Sequence, residues 1–239
     1  MRLSTTLPAM IAIMLLLPGC QSAPPPLAFE HATRPAVHRI CLVPLGIPER
    51  AQVTIMNPIG AGFGIVGNLI ESQRAANANV EMVAVLAKAH YDYGTALSSS
   101  VAAAMRKAGF AIAPEEGARP QDQRDKFLSR YAPRPQADAF LDIYARYVGF
   151  QALQSSLGYR PRLEIVARLV SAKDGVTLFQ NRIVYGLAVS EDEDAILVRA
   201  DDSVSFSDRA ALQASPATTA RALQTAIDAV AWELALQFM

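Results

Sequence analysis

Cysteine is nearly absent from this chain of 239 residues: there are two, Cys20 and Cys41, alongside three histidines and one tryptophan. His31, His38 and His90 are scattered, whereas a metal site needs several ligands held at fixed geometry. An excess of charge is missing too. The 22 basic and 22 acidic residues cancel, which leaves no electrostatic footprint for nucleic acid. No tandem repeat marks a solenoid. The conspicuous apolar run, Met10 to Leu17, is shorter than the roughly 20 residues that cross a bilayer. What remains is an apolar chain, 51% hydrophobic and 18% charged, which suits a packed domain and argues against a disordered tail.

The N-terminus carries the most information. Arg2, the apolar run to Leu17 and the small residues after it have the layout of a secretory signal. The ending Leu17-Pro18-Gly19-Cys20 resembles the lipobox of bacterial lipoproteins, although Pro18 is unusual at its position. That resemblance implies cleavage between Gly19 and Cys20 and acylation of the Cys20 thiol. An ordinary signal peptide with a chance cysteine, or a soluble apolar helix, is the alternative. Cleavage would leave 220 residues, and loss of Arg2 would leave 21 basic against 22 acidic residues. Residues 20–38 then read as the lipidated cysteine and a tether, extended by Pro24-Pro25-Pro26. Gln21, rather than Asp, follows the lipidated cysteine, which by the same resemblance favours the outer membrane. With Cys20 acylated no zinc set remains, and Cys41 is left as a lone thiol in the apolar run Arg39 to Leu45, where it reads as a small buried hydrophobe.

The remaining chain, 39–239, reads as one mixed α/β domain. Arg39 to Leu45, Phe110 to Ala113, Ala139 to Val148, Arg162 to Val170 and Val176 to Tyr185 are expected strands. Leu141, Ile143, Ala145 and Tyr147 share one face of the third, and Leu163, Ile165, Ala167 and Leu169 face inward on the fourth. Lys173-Asp174-Gly175 signals the hairpin between the last two, with Leu178 against the core. Helices are expected over Val80–Ala89 and Tyr93–Lys107, the latter with a stripe of Leu97, Val101 and Met105. A single turn is expected around Arg124 to Arg130. Pro216 to Leu236 is a final helix with a stripe of Leu223, Ile227, Val230 and Leu234, and Trp232 lies off it. The expected product is a mixed sheet with helices packed mainly on one side and an insertion at 47–92.

Three stretches, Ile40 to Leu45, Ala104 to Ile112, and Ala137 to Ile143 leading to Leu169 to Gly175, resemble the α/β domain of the TolB amino-terminal and CsgG-like group of periplasmic lipoproteins. The resemblance spans Arg39 to Tyr185, is at the level of fold, and departs from the group at 47–92. It implies roles in envelope assembly, secretion or transport support. Lipoproteins auxiliary to lipid-transporting ABC systems look similar in the same stretches.

Inside the insertion, Asn57 to Ile70 reads as an apolar glycine-rich helical segment, with Asn57 and Pro58 as a helix start. Gly62 to Gly67 matches G-x-G-x-x-G, with Glu81 near the spacing of the acidic partner, but Pro58 breaks the strand that the dinucleotide fingerprint requires. The alternative use is contact: Gly60 and Gly64, with Gly67 one turn on, let backbones approach, and Phe63 and its neighbours are apolar nearly all round. Core packing, self-association and membrane contact all remain open for this segment.

Asp192, Asp194, Asp201, Asp202 and Asp208 lack the calcium-loop pattern and read as a solvated acidic surface. Ser98, Ser99 and Ser100 lack a nucleophile elbow. Tyr144, Tyr147 and Tyr159 read as sheet aromatics. No catalytic residue, metal or cofactor is therefore expected. The expectation is a non-enzymatic scaffold or accessory lipoprotein on the periplasmic face of the outer membrane, held by Cys20 and meeting a protein partner or itself. A lipid- or glycan-binding auxiliary of an ABC-type transporter is the second reading, and a periplasmic hydrolase the third.

Overall fold

A computed structural model describes residues 25–30, 32, 37–56, 64–115, 117–154, 157–187, 192–201 and 204–239. Among the described residues, seven strands form one mixed sheet: β1 (Arg39–Leu42), β2 (Gln52–Ile55), β3 (Ala111–Pro114), β4 (Ala139–Ala152), β5 (Arg160–Ser171), β6 (Thr177–Gly186) and β7 (Ile196–Arg199). Four helices accompany them: α1 (Gly64–Lys88), α2 (Tyr93–Lys107), α3 (Arg209–Ala214) and α4 (Pro216–Leu236). The sheet order is β3-β1-β4-β5-β6-β7. β4 is long enough to pair with β1 along its first half and with β2 along its second, both parallel, while β4, β5 and β6 run antiparallel.

One face of the sheet is covered by α2 and α4. Leu97, Val101 and Met105 of α2 meet Ile227, Val230 and Leu234 of α4 over Leu141, Ile143, Leu163, Ile165 and Leu169 of the strands, all at most 1% exposed. Both expected helical stripes are thus the buried faces. Asp92 caps α2 by accepting from the N–H groups of Gly94 and Thr95. Trp232, off the α4 stripe, is half-buried against α2, with Lys107 Nζ 4.4 Å above its ring centre.

The alternation expected along β4 holds only as far as Ala145. Its pairing with β5 passes from Ala145↔Ile165 to Tyr147↔Glu164, so Arg146 is an extra, bulged residue. A bulge of one residue reverses which side chains face the core. Val148, Phe150 and Ala152 therefore take core positions, and Tyr147 turns to the other face, where its hydroxyl lies 2.9 Å from Thr54 Oγ1 and donates to the Phe150 carbonyl at 2.8 Å. A second irregularity opposite Leu169 and Val170 leaves Leu178 at the rim and gives the core place to Phe179.

The stretch 47–92 is built into the sheet. β2 lies in it, and α1 packs against β2, α3 and α4. Asn79 of α1 accepts the Val53 N–H at 2.7 Å. Where β2 crosses β4, Gly149 lies against the Gln52 backbone so closely that a Cβ would overlap its carbonyl oxygen. Val80–Ala89 is the C-terminal part of α1 rather than a separate helix, and His90 ends it with a left-handed φ of 51°. The turn expected at Arg124 to Arg130 is instead a 3-10 turn over Gln121–Gln123.

Candidate functional site

Cys20, Gly60 and Phe63 lie outside the described residues. Gly64 and Gly67 fall in the first turns of α1. Glu81, the acidic partner of the glycine fingerprint, is on the exposed side of α1 and accepts from Gln213 Nε2 at 2.8 Å; it is not at a strand end, where that fingerprint would need it. Of the serines, Ser100 donates to Asp228 at 2.6 Å and ties α2 to α4. No described helix is long and apolar enough to cross a membrane.

The segment after Cys20 docks onto the domain earlier than a tether reaching residue 38 would. The Leu27 N–H donates to the Gln180 carbonyl at 2.6 Å, the Gln180 N–H returns to Leu27 at 2.9 Å, and Gln180 Nε2 donates to the Pro25 carbonyl at 2.9 Å. Phe29 is buried, its ring 5.3 Å from Phe238, which also meets Phe179 at 4.8 Å and Phe110 at 6.2 Å. The N-terminal segment is therefore clamped between β6 and the end of α4. Ten residues later Asp138 pins the start of β1, accepting from the His38 and Arg39 N–H groups and from the Arg39 guanidinium. Burial pushes the Asp138 carboxyl upward, but these hydrogen bonds and the Arg39 charge outweigh it and hold the pKa at about 2, below the ordinary 3.8. A folded-state value below the unfolded one means a contribution that is present above pH 3.8 and is lost as pH falls toward 2. The stability gap between the native chain and Asp138→Asn, measured by urea unfolding, is accordingly expected to shrink through that window and to be constant above it. A gap independent of pH would show that the pairing is not formed.

The sheet face turned away from α2 and α4 carries charge. Asp142 is fully buried and accepts from Arg119 Nη1 at 2.8 Å, the Leu128 N–H at 2.7 Å and the Tyr131 hydroxyl at 2.9 Å. Arg119 also donates to the carbonyls of Pro44, Gln123 and Lys126. These bonds fasten residues 117–137 across the sheet, with Arg168 stacked 4.2 Å from the Phe127 ring. Farther along the same face, Arg162 donates to Asp192 through both guanidinium nitrogens, and Glu164 accepts from Arg182 at 3.3 Å and Arg146 at 3.1 Å. Asp192 is 1% exposed, which corrects its reading as part of a solvated acidic surface. Asp194 and Asp201 are exposed, Asp208 caps α3, and Asp202 lies outside the described residues. The one legible hint of this network was the placing of charged residues at even positions of an otherwise apolar strand, Arg162, Glu164 and Arg168, with Val166 between the last two. Nothing local in the sequence joins Arg119 to Asp142.

A cleft of about 660 Å³ opens on this face beside β3, lined by Arg39, Cys41, Glu115, Arg134 and Gln136 among others. Cys41 is buried at its floor with no disulfide partner among the described residues. Burial first, then the Glu115 charge, pushes the Cys41 thiol up, with Arg134 opposing. A thiol kept protonated is a weak nucleophile, so the group behaves as the buried hydrophobe expected of it. Arg134 is also paired with Glu115 at 3.0 Å.

No protein-family model and no curated protein matches the sequence. Among solved structures, the chain is similar to a DUF330 protein from Xanthomonas campestris, with 14% identity, 90% of this chain and 88% of that chain covered and a TM-score of 0.42. It is similar to PelC, a dodecamer from Paraburkholderia phytofirmans, with 8% identity, 90% and 94% coverage and a TM-score of 0.39. It is also similar to the lipoprotein GNA1162 from Neisseria meningitidis, with 16% identity, 62% and 81% coverage and a TM-score of 0.33.

Proposed function

We propose that this chain is a lipid-anchored envelope protein, held at the periplasmic face of the outer membrane through Cys20. It works without catalysis of its own, as a scaffold or accessory component of an assembly, secretion or transport complex. The observation that carries this reading is the Leu17-Pro18-Gly19-Cys20 ending placed only a few residues before a segment that docks onto the domain. An anchor so connected holds the whole domain at the membrane, which a scaffold needs and a diffusing hydrolase does not. The resemblance of Arg39 to Tyr185 to the TolB amino-terminal and CsgG-like group agrees with it by analogy. Contact with a partner or a second copy is assigned to α1 and the apolar stretch leading into it. Val80 and Val83 are 55% and 43% exposed on this helix, beyond the polar stretch Glu71 to Asn79 that follows the apolar run ending at Ile70.

A second reading, an auxiliary protein that holds a lipid or a glycan, is favoured by the cleft beside β3. Its lining sets Arg39, Glu115 and Arg134 among apolar residues such as Ile112, Ala113 and Ala137, so it offers both polar and apolar contact.

Cys20→Ser tests the anchor. The native protein is expected in the membrane fraction, released by detergent and not by high salt. The variant is expected in the soluble periplasmic fraction with an unchanged circular dichroism spectrum. Equal membrane retention of the two would overturn the proposal.

A further inference from the structure

We infer that one end of the domain, where α2 and α4 finish and β5 turns into β6, rests on the bilayer surface, with Leu27, Val176 and Leu236 entering the headgroup layer. This placement rests on the lipid-anchor reading of Cys20 and adds to it an orientation.

Chain length carries the argument. From Cys20 to Pro25 there are five backbone steps, which span at most about 18 Å even when fully extended. Pro25 and Leu27 are themselves fixed to Gln180 of β6. A lipid on Cys20 therefore cannot let the domain wander from the membrane, and it presents the surface around Leu27 first. That surface carries three exposed apolar side chains among charges of both signs. Leu27 is 43% exposed, Val176 in the β5–β6 hairpin is 55% exposed, and Leu236 at the end of α4 is 41% exposed. Beneath them Phe29, Phe179 and Phe238 form one cluster, which binds the three elements into a single rigid end. Trp232 lies one helical turn behind Leu236 with Lys107 above its ring, and a tryptophan beside a lysine suits the boundary between water and lipid. Arg106, Lys107, Lys173 and Arg39 near this end are balanced by Glu30, Asp174, Glu233 and Asp138, the last paired with Arg39 at 3.0 Å. Attraction to anionic lipid is therefore small, and the contact depends on the acyl anchor and the apolar rim.

Trp232 is the single tryptophan, so the native chain reports its own position. The acylated full chain, purified from membranes, is placed in vesicles of phosphatidylethanolamine and phosphatidylglycerol whose acyl chains carry bromine at a shallow or a deep position. Shallow bromine is expected to quench about half of the Trp232 emission, deep bromine far less, with little change on adding salt. The pair Val176→Asp and Leu236→Asp is expected to lower the shallow quenching roughly twofold while the lipid keeps the protein on the vesicles. Acylated, vesicle-bound protein with unquenched Trp232 overturns the orientation and leaves the anchor intact. Purified protein without lipid on Cys20 overturns both. The unsubstituted chain gives this readout by itself, so the result does not depend on the variants folding.

Discussion

Replacing Asp142 with alanine is expected to remove about 3–5 kcal/mol of folding stability, the range found when one partner of a buried ion pair is deleted. The carboxylate is fully buried in β4, and the Arg119 side chain opposite it is 2% exposed. Without Asp142 the guanidinium stays buried with only the carbonyls of Pro44, Gln123 and Lys126 to receive its protons, so a positive charge is left uncompensated. The Leu128 N–H and the Tyr131 hydroxyl lose their acceptor in the same step. Because all three donors lie in 117–137, the loss should be local before it is global. Limited proteolysis is expected to cut that segment first, and urea unfolding to give the overall cost. Asp142→Asn keeps an acceptor but not the charge and should fall between the two. A cost for Asp142→Ala below about 1 kcal/mol would mean that the segment is held by its apolar contacts, Leu128 and Tyr131 on Phe140, and not by the carboxylate.

Phe238→Ala is expected to cost a similar amount, about 3–5 kcal/mol, by the usual effect of emptying a large buried site. The ring is fully buried and meets Phe29, Phe110 and Phe179 edge-on. Its removal has a second, positional effect. Phe29 loses the surface it packs on, and the N-terminal segment keeps its hydrogen bonds to the Gln180 backbone and side chain. Amide hydrogen exchange at Leu27 and Gln180 should therefore speed up by more than the global loss of stability explains. If those two amides follow global unfolding only, the segment is fixed by its hydrogen bonds and the aromatic cluster does not clamp it.

The fold was legible where a period and a boundary signal agreed. Tyr93–Lys107 and Pro216–Leu236 have apolar stripes, the second also Pro216 in its first turn, and both helices are found with the expected ends; the Asp92 cap of the first is seen only in the structure. The β5–β6 hairpin was legible because Gly175, at φ 74°, supplies the conformation that an Asp-Gly turn needs. β2 and β7 were not read from the sequence; each is a four-residue strand paired to a neighbour distant in the chain or across a loop, β4 or β6. The β4 bulge at Arg146 leaves no mark in the sequence, since it arises from the register with β5, and it put Tyr147 on the wrong face. The expectation of an anchor rests on Cys20 and its flanks alone. The docking of Leu27 and Phe29 was not legible, because a proline-rich stretch reads as a spacer whether or not a surface receives it. The charged face was hidden for the same reason that Asp192 looked solvated: burial of an acid depends on Arg162, which is 30 residues away.

The central claim is that a lipid on Cys20 holds this domain to the membrane, and the mass of the N-terminal peptide tests it most directly. Protein purified from membranes and digested with protease is expected to yield a first peptide that begins at Cys20 and is heavier than its sequence by a diacylglyceryl group and an acyl chain. A first peptide beginning elsewhere, or beginning at Cys20 with an unmodified thiol, would contradict the account.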